Sequence, residues 1–190
     1  MAAVDTNADP ARVLQVALAE FSALRGEIKD RSASAWTMVS LNITATSAVL
    51  GFVLSKGADP LLLLALPIVA PSLGMLFIDH AYNINNLGSY IGARIRPLIV
   101  GASGEPSLLG YEDAIDTYEQ RRLLRFLPFG LPLTLLFSGI PIGCLVFVVP
   151  SLHASWSWLL WAFGIGLVTT QLVLWLLFLL RPRLFDAYAR

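Results

Sequence analysis

Three groups of residues in the sequence have the types and spacing that catalysis or metal binding requires. The first could hold a nucleophilic serine, the second an acid beside a base, and the third a divalent cation between two carboxylates. In that order they are Gly101-Ala-Ser-Gly104, Asp79-His80, and Asp113 with Asp116. Each group needs particular neighbours, so the elements that carry it decide whether it can act.

The surroundings of all three groups argue against catalysis. Ser103 lies in a polar linker, whereas intramembrane proteases with this pattern hold the serine inside a span, beside a histidine from another span. Adjacent residues of a helix do not face each other, so Asp79 and His80 are a poor base and orienter. Asp113 and Asp116 fit a solvated helix face. We therefore predict no catalytic residue, no cofactor and no bound metal.

The composition is that of a membrane protein. Of the 190 residues, 56% are hydrophobic and 14% charged, against about 25% charged residues in soluble domains. Four runs without Asp, Glu, Lys, Arg or His approach the ~20 residues that cross a bilayer. They are Ala35–Ser55, Pro60–Ile78, Leu131–Pro150 and Trp156–Leu180. The zero net charge gives no reason to expect nucleic acid as a partner.

Basic residues are distributed unevenly around these runs. Of the 13 Lys and Arg residues, only Lys56 falls in a loop between the first and second or the third and fourth runs. The positive-inside rule then predicts a multi-pass plasma-membrane protein with both termini and the central segment in the cytoplasm. The predicted domains are a tail with a cytosolic amphipathic helix (1–34), a transmembrane hairpin (35–78), cytosolic helices (79–127), a second hairpin (128–180) and a cytosolic tail (181–190).

Apolar stripes of helical period continue outside the membrane runs. One stripe passes from the second run through Asp79 and His80 to Leu98, which predicts one helix that leaves the bilayer and ends near Pro97 or at residues 101–107. Two further stripes consist of Leu14, Leu18, Phe21, Leu24 and Ile28, and of Leu108, Tyr111, Ile115 and Tyr118. These helices could form a bundle or lie flat on the membrane. Acidic residues beside the last stripe favour the bundle. The predicted fold class is all-α: a four-helix transmembrane protein with cytosolic helical extensions that form a small bundle.

Uncharged polar residues supply the remaining candidates for interfaces. The stretch between His80 and Arg94 has no charged residue, so its asparagines should lie inside the bundle or against another subunit. In the first run, small residues form one helical face that can pack within one subunit or line an oligomeric pore; they are Thr37, Ser40, Thr44, Ser47 and Gly51. The candidate functional or interface residues are Asp79, His80, Asn83, Asn86, Thr44 and Ser47.

Two stretches carry a resemblance to known proteins. Glu20-Phe-Ser-Ala-Leu-Arg-Gly-Glu-Ile-Lys-Asp-Arg31 and Ile78-Asp-His80 resemble small multi-pass membrane proteins of actinobacteria that have no characterised activity. The resemblance covers residues 1–100 and implies a bacterial plasma-membrane protein, with no activity or site. The layout of spans with cytosolic helices is also similar, in architecture only, to membrane effectors of nucleotide-signalled bacterial defence.

Three classes of function fit these features. The first is a non-enzymatic membrane protein whose cytosolic helices form an oligomerisation or partner-binding module, so that its partners are the lipid bilayer and a second copy or another protein. The alternative is an oligomeric channel or membrane-disrupting effector, and the third is a lipid-processing membrane enzyme. An ion-coupled carrier is disfavoured, because the spans contain no ionisable groups that could form its pathway.

Overall fold

The computed structural model describes residues 9–55, 58–105 and 130–180. Their helices, with no strand among the described residues, confirm the all-α class. Helix α1 spans Pro10–Leu54. A 3-10 segment, Pro60–Ala65, leads into α2, which spans Leu66–Tyr90. A π-helical segment, Ile91–Ile95, then connects α2 to α3, which spans Arg96–Ser103. The next helix consists of α4, Leu131–Thr134, a second π-helical segment, Leu135–Gly139, and α5, Ile140–Val148; a 3-10 turn, Val149–Ser151, precedes α6, Ser155–Leu180.

Four helical stretches of the described chain are long and apolar enough to cross a membrane. They cover residues 11–54, 60–103, 131–151 and 155–178. The most apolar 18-residue window of each has a mean hydropathy of 1.6 to 2.4, yet only 17% to 44% of that window is buried inside the protein. Exposed apolar surface of this extent is typical of membrane or protein interfaces. These helices confirm the predicted four apolar spans and are compatible with a membrane protein.

The chain divides into two compact units. Of the described residues, the first unit contains 9–32 and 83–105, and the second contains 33–55, 58–82 and 130–180. Helices α1 and α2 contribute residues to both units. The predicted third cytosolic stripe, from Leu108 to Tyr118, lies outside the described residues, as do Asp113 and Asp116.

The first unit is held together by apolar contacts between the start of α1 and the residues around α3. Ala17, Ile95 and Ile99 are at most 4% exposed and form its core. Leu14, Phe21 and Leu24 pack around that core. The contact of α1 with a segment about 80 residues later is the tertiary packing that short amphipathic helices need for stability.

Polar contacts at the surface of this unit fix the ends and the pairing of its helices. The Oδ1 atom of Asp9 accepts the backbone N–H of Ala11 at 3.0 Å, as a residue that caps a helix N-terminus does. The hydroxyl of Tyr90 donates to Oε1 of Glu20 at 2.9 Å. This hydrogen bond raises the pKa of Tyr90, because loss of the proton would break the bond and place a phenolate beside a carboxylate.

The helical path from the second apolar run to Ser103 confirms the predicted continuous helix. It ends at Gly104, whose φ of 70° lies in the left-handed region and whose N–H donates to the carbonyl of Val100. Glycine adopts this conformation without the steric cost that a Cβ would add. The hydroxyl of Ser103 donates to the same Val100 carbonyl at 3.3 Å. The GxSG pattern is therefore the C-terminal cap of a helix.

The buried face of this helix differs from the predicted stripe at one position. Leu98 is 49% exposed, whereas Ile99 is 4% exposed and belongs to the core. A π-helical segment adds a residue to the turn, so the residues after it are rotated relative to an uninterrupted α-helix. On α1 the small residue Ala17 is buried and Leu18 is 47% exposed. The two stripes that lie in the described residues are therefore each displaced by one residue at one place.

The second unit contains two clusters of buried side chains that join its helices. One cluster consists of Leu64, Leu145, Val148, Leu152 and Val168, from the 3-10 segment, α5, the loop before α6 and α6 itself. The other consists of Leu63, Leu66 and Cys144, against which Val49, Leu50 and Val53 of α1 pack. All four apolar helices thus contribute to one bundle.

Candidate functional site

A proline in the third apolar helix leaves one backbone carbonyl without its helical partner. In the π-helical segment, the N–H of Ile140 donates to the carbonyl of Leu135, five residues back. The carbonyl of Leu136 would accept from Ile140 in an α-helix and from residue 141 in a π-helix. Residue 141 is Pro141, which has no N–H. The Leu136 carbonyl therefore needs a hydrogen-bond donor from another part of the chain.

Asn42 of α1 supplies that partner. Its Nδ2 atom donates to the carbonyl oxygen of Leu136 at 3.2 Å, and its side chain is fully buried. The hydroxyl of Thr46, one turn further along α1, lies 3.5 Å from Oδ1 of Asn42 and donates to it. Burial without such partners would cost about 1–3 kcal/mol for each polar group. The amide thus ties α1 to the irregular part of the third helix.

A second amide reaches the same π-helical segment from α6. The hydroxyl of Ser138 donates to Oε1 of Gln171 at 3.1 Å, and both side chains are at most 1% exposed. Gly74 of α2 makes room for this amide, because a Cβ at that position would lie 2.2 Å from Nε2 of Gln171 and 3.1 Å from Cβ of Phe137. Three helices therefore meet the segment through Asn42, Gly74 and Gln171.

The chemistry available to this cluster is hydrogen bonding. Asn42, Thr46, Ser138 and Gln171 carry no group that ionises near neutral pH, so they cannot serve as a general acid or base. Nε2 of Gln171 and Nε1 of Trp175, one turn apart on α6, are buried donors without an acceptor. The rings of Phe77 and Trp175 lie 6.3 Å apart beside them. The arrangement is suited to fixing the third helix within the bundle.

Asn42 and Gln171 are not among the candidate residues predicted from the sequence. The signal was present, because they are the only amide side chains in the four apolar runs. What the sequence did not reveal was the π-helical register, which determines that the carbonyl of Leu136 is the one without a helical partner. Gly139 and Gly143 of the third apolar helix have the four-residue spacing of a helix-packing motif, yet a Cβ at Gly139 would meet only Leu135 of its own helix, and one at Gly143 would meet nothing within 4 Å.

The six candidate residues occupy different places. Asp79 and His80 belong to the second unit, and Asn83 and Asn86 to the first. The Asp79 side chain is exposed, whereas His80 is half-buried and its Nδ1 atom is buried without a hydrogen-bond partner. Within the described ranges, no three residues among His, Cys, Asp and Glu are grouped so that they could hold a metal ion.

The face of small residues on α1 points away from the rest of its unit. Thr44 and Ser47 are exposed, as are Thr37, Ser40 and Gly51. The hydroxyls of Thr37, Ser40 and Thr44 each donate to the carbonyl four residues earlier in their own helix. Residues that do contact other helices lie on another face, which includes Ala35, Val39, Asn42 and Thr46. In the part of the chain that the structure describes, this face is therefore not packed against another helix.

Comparison of the chain with models of known protein families, with curated proteins and with solved structures finds no match.

We expect Asn42→Leu to lower the free energy of unfolding by about 1–3 kcal/mol for each of the two buried groups that it leaves unpaired, the Leu136 carbonyl and the Thr46 hydroxyl. Unfolding in detergent, followed by circular dichroism, would measure the change. Pro141→Ala restores an N–H near the Leu136 carbonyl, so the cost of Asn42→Leu should be smaller in that background. Equal costs in the two backgrounds would contradict this account of the bond.

Proposed function

We propose that this chain is a multi-pass integral membrane protein with a non-enzymatic role, in which the first unit serves as a cytosolic oligomerisation or partner-binding module. The observation that carries the proposal is the first unit itself. Its helices are packed through Ala17, Ile95 and Ile99, yet apolar side chains remain on its surface. Val16 is 61% exposed. A folded helical unit with exposed apolar residues is suited to binding another protein surface.

The second unit supports placement in a bilayer. Its buried residues include the polar Asn42, Thr46, Ser138 and Gln171. Its exposed side chains are largely apolar and include Phe52, Val146, Phe147 and Leu159, each at least 67% exposed. A bilayer accepts such an exterior, because lipid tails are as apolar as leucine, and buried polar side chains then hold helices together.

The proposed orientation places both termini in the cytoplasm of a plasma-membrane protein. It rests on the distribution of Lys and Arg, of which only Lys56 falls on the outer side. In intact cells, a membrane-impermeant thiol reagent should label cysteines introduced at Lys56 and Ser155, in a background with Cys144 replaced by alanine. A cysteine at Ser103 should react only after the cells are opened. Labelling of Ser103 from outside would contradict this orientation.

Assembly is tested most directly on the surface of the first unit. Val16→Lys should reduce the mass of the purified complex in detergent, measured by light scattering, because a charge in an apolar interface is costly. Gln15→Lys is the matched control, since Gln15 is its exposed neighbour on α1, and it should leave the mass unchanged. Neither substitution should alter stability by more than about 0.5 kcal/mol, as is usual for surface positions. A wild-type monomer that captures no partner would overturn the proposal.

A second candidate function is an oligomeric channel. It is favoured by the exposed hydroxyl-bearing face of α1, which includes Thr44 and Ser47, because a pore needs polar groups but no buried charge. Ion flux into liposomes that contain the purified protein would support this candidate, provided that Thr44→Leu reduces the flux. Assembly without flux would favour the binding module.

A further inference from the structure

An open groove lies between α2 and α6 at the end of the second apolar run. Its volume is about 280 Å³. Its walls are mostly apolar, and they carry one carboxyl group and one phenol on α2. The residues that matter here are Ile78, Asp79, Tyr82, Leu174, Leu177 and Phe178. All of them belong to the second unit.

The groove combines two kinds of surface in one place. Ile78, Leu174 and Leu177 present aliphatic side chains that can contact an alkyl chain. Asp79 is exposed and is the first ionisable residue after a run that has none from Pro60 to Ile78. In a membrane-spanning helix, that change marks the depth at which hydrocarbon gives way to lipid headgroups. With the second unit in a bilayer, as proposed above, the apolar wall lies beside acyl chains and the carboxyl group beside headgroups.

The charge at the polar end decides which lipid fits. A carboxylate attracts a cationic group and repels an anionic one. The Asp79 carboxylate has about four acceptor sites, so a hydrogen-bond partner within the chain still leaves sites for an ammonium group. We propose that this groove binds a phospholipid with a primary-amine headgroup, with the ammonium at Asp79 and an acyl chain along Ile78, Leu174 and Leu177.

The proposal can be tested by competition between two lipids. The protein is purified in detergent and equilibrated with equal amounts of phosphatidylethanolamine and phosphatidylglycerol that carry the same acyl chains, and the retained lipid is identified by native mass spectrometry. We expect a preference of up to about fivefold for the ethanolamine lipid, the upper end of the range of an exposed charge pair. Asp79→Asn should remove the preference and leave total lipid binding in place.

A second variant separates the apolar wall from the headgroup. Leu177→Trp fills the groove and should reduce the retention of both lipids. Leu176→Trp is the matched control, because Leu176 is its neighbour on α6, is 55% exposed and does not line the groove. Equal retention of the two lipids by the wild type would overturn the proposal, as would a preference that survives Asp79→Asn. A Leu177→Trp variant that retains as much lipid as Leu176→Trp would overturn the location.

Discussion

Ile95→Asp should unfold the first unit and lower the free energy of unfolding by more than about 4 kcal/mol. Ile95 is 1% exposed and lies between Ala17 and the side chains of Leu14 and Phe21. A carboxyl group there is either charged in an apolar site or neutral without a partner, and both states are unfavourable. Hydrogen exchange measured by mass spectrometry in detergent would show lost protection in residues 9–32 and 83–105.

The size of this effect can be bracketed with milder substitutions. Ile95→Ala removes methylene and methyl groups from a buried site and should cost about 2–5 kcal/mol. Leu98→Ala is its matched control on the next turn of the helix, because Leu98 is 49% exposed, and it should cost much less. If Ile95→Ala and Leu98→Ala had equal effects on protection, the packing of α1 against α3 described above would be wrong.

Gly74→Val should lower the free energy of unfolding of the second unit by about 3 kcal/mol. Any Cβ at Gly74 meets Nε2 of Gln171 at 2.2 Å and Cβ of Phe137 at 3.1 Å. The Gln171 side chain, which accepts a hydrogen bond from Ser138, would have to turn aside, whereas the Phe137 Cβ is fixed to its backbone. Overpacking of this kind costs about 1–3 kcal/mol and occasionally more. Thermal unfolding of the detergent-solubilised protein measures the loss.

Two further variants test the direction of this effect and its physical cause. Gly51→Ala on α1 is the control, because a Cβ there meets nothing within 4 Å; it should be neutral or stabilise by up to about 1 kcal/mol, as alanine does in a helix. Gln171→Ala should relieve much of the cost of a Cβ at Gly74, so that Gly74→Ala with Gln171→Ala costs less than the two single changes together. Strict additivity would show that Gly74 and Gln171 do not share this contact.

The sequence was sufficient for features that depend on composition and helical period. The four apolar helices and the continuous helix through Asp79 and His80 follow from such signals, and the structure bears them out. Two of the three predicted stripes meet in the first unit, where Leu14 and Phe21 pack against Ile95 and Ile99. The stripes alone did not decide between a bundle and helices lying on the membrane, because an apolar face can be buried in either way.

What could not be predicted depends on register and on neighbours distant in sequence. Leu98 was placed on the buried face because nothing in the local pattern indicates a π-helical segment over Ile91–Ile95. In both π-helical segments, the residue before a proline donates five residues back, Arg96 to Ile91 and Ile140 to Leu135. The prolines Pro97 and Pro141 are visible in the sequence, yet a proline can equally kink or end a helix. The outward direction of Thr44 and Ser47 depended likewise on which face of α1 the other helices covered.

The hydrogen bond between Asn42 and Leu136 also has a consequence for biosynthesis. Its two residues are 94 positions apart. At about 5–20 residues per second, the ribosome needs roughly 5–20 s to reach Leu136 after it has made Asn42. If the first span enters the bilayer during that interval, the Asn42 amide lies in hydrocarbon without its native acceptor, and an unpaired polar group there is unfavourable. In chains truncated before Leu131, a first span with Asn42→Leu should therefore insert into the bilayer more readily than the wild-type span. Once the third helix is complete, the same amide stabilises the contact between the two helices.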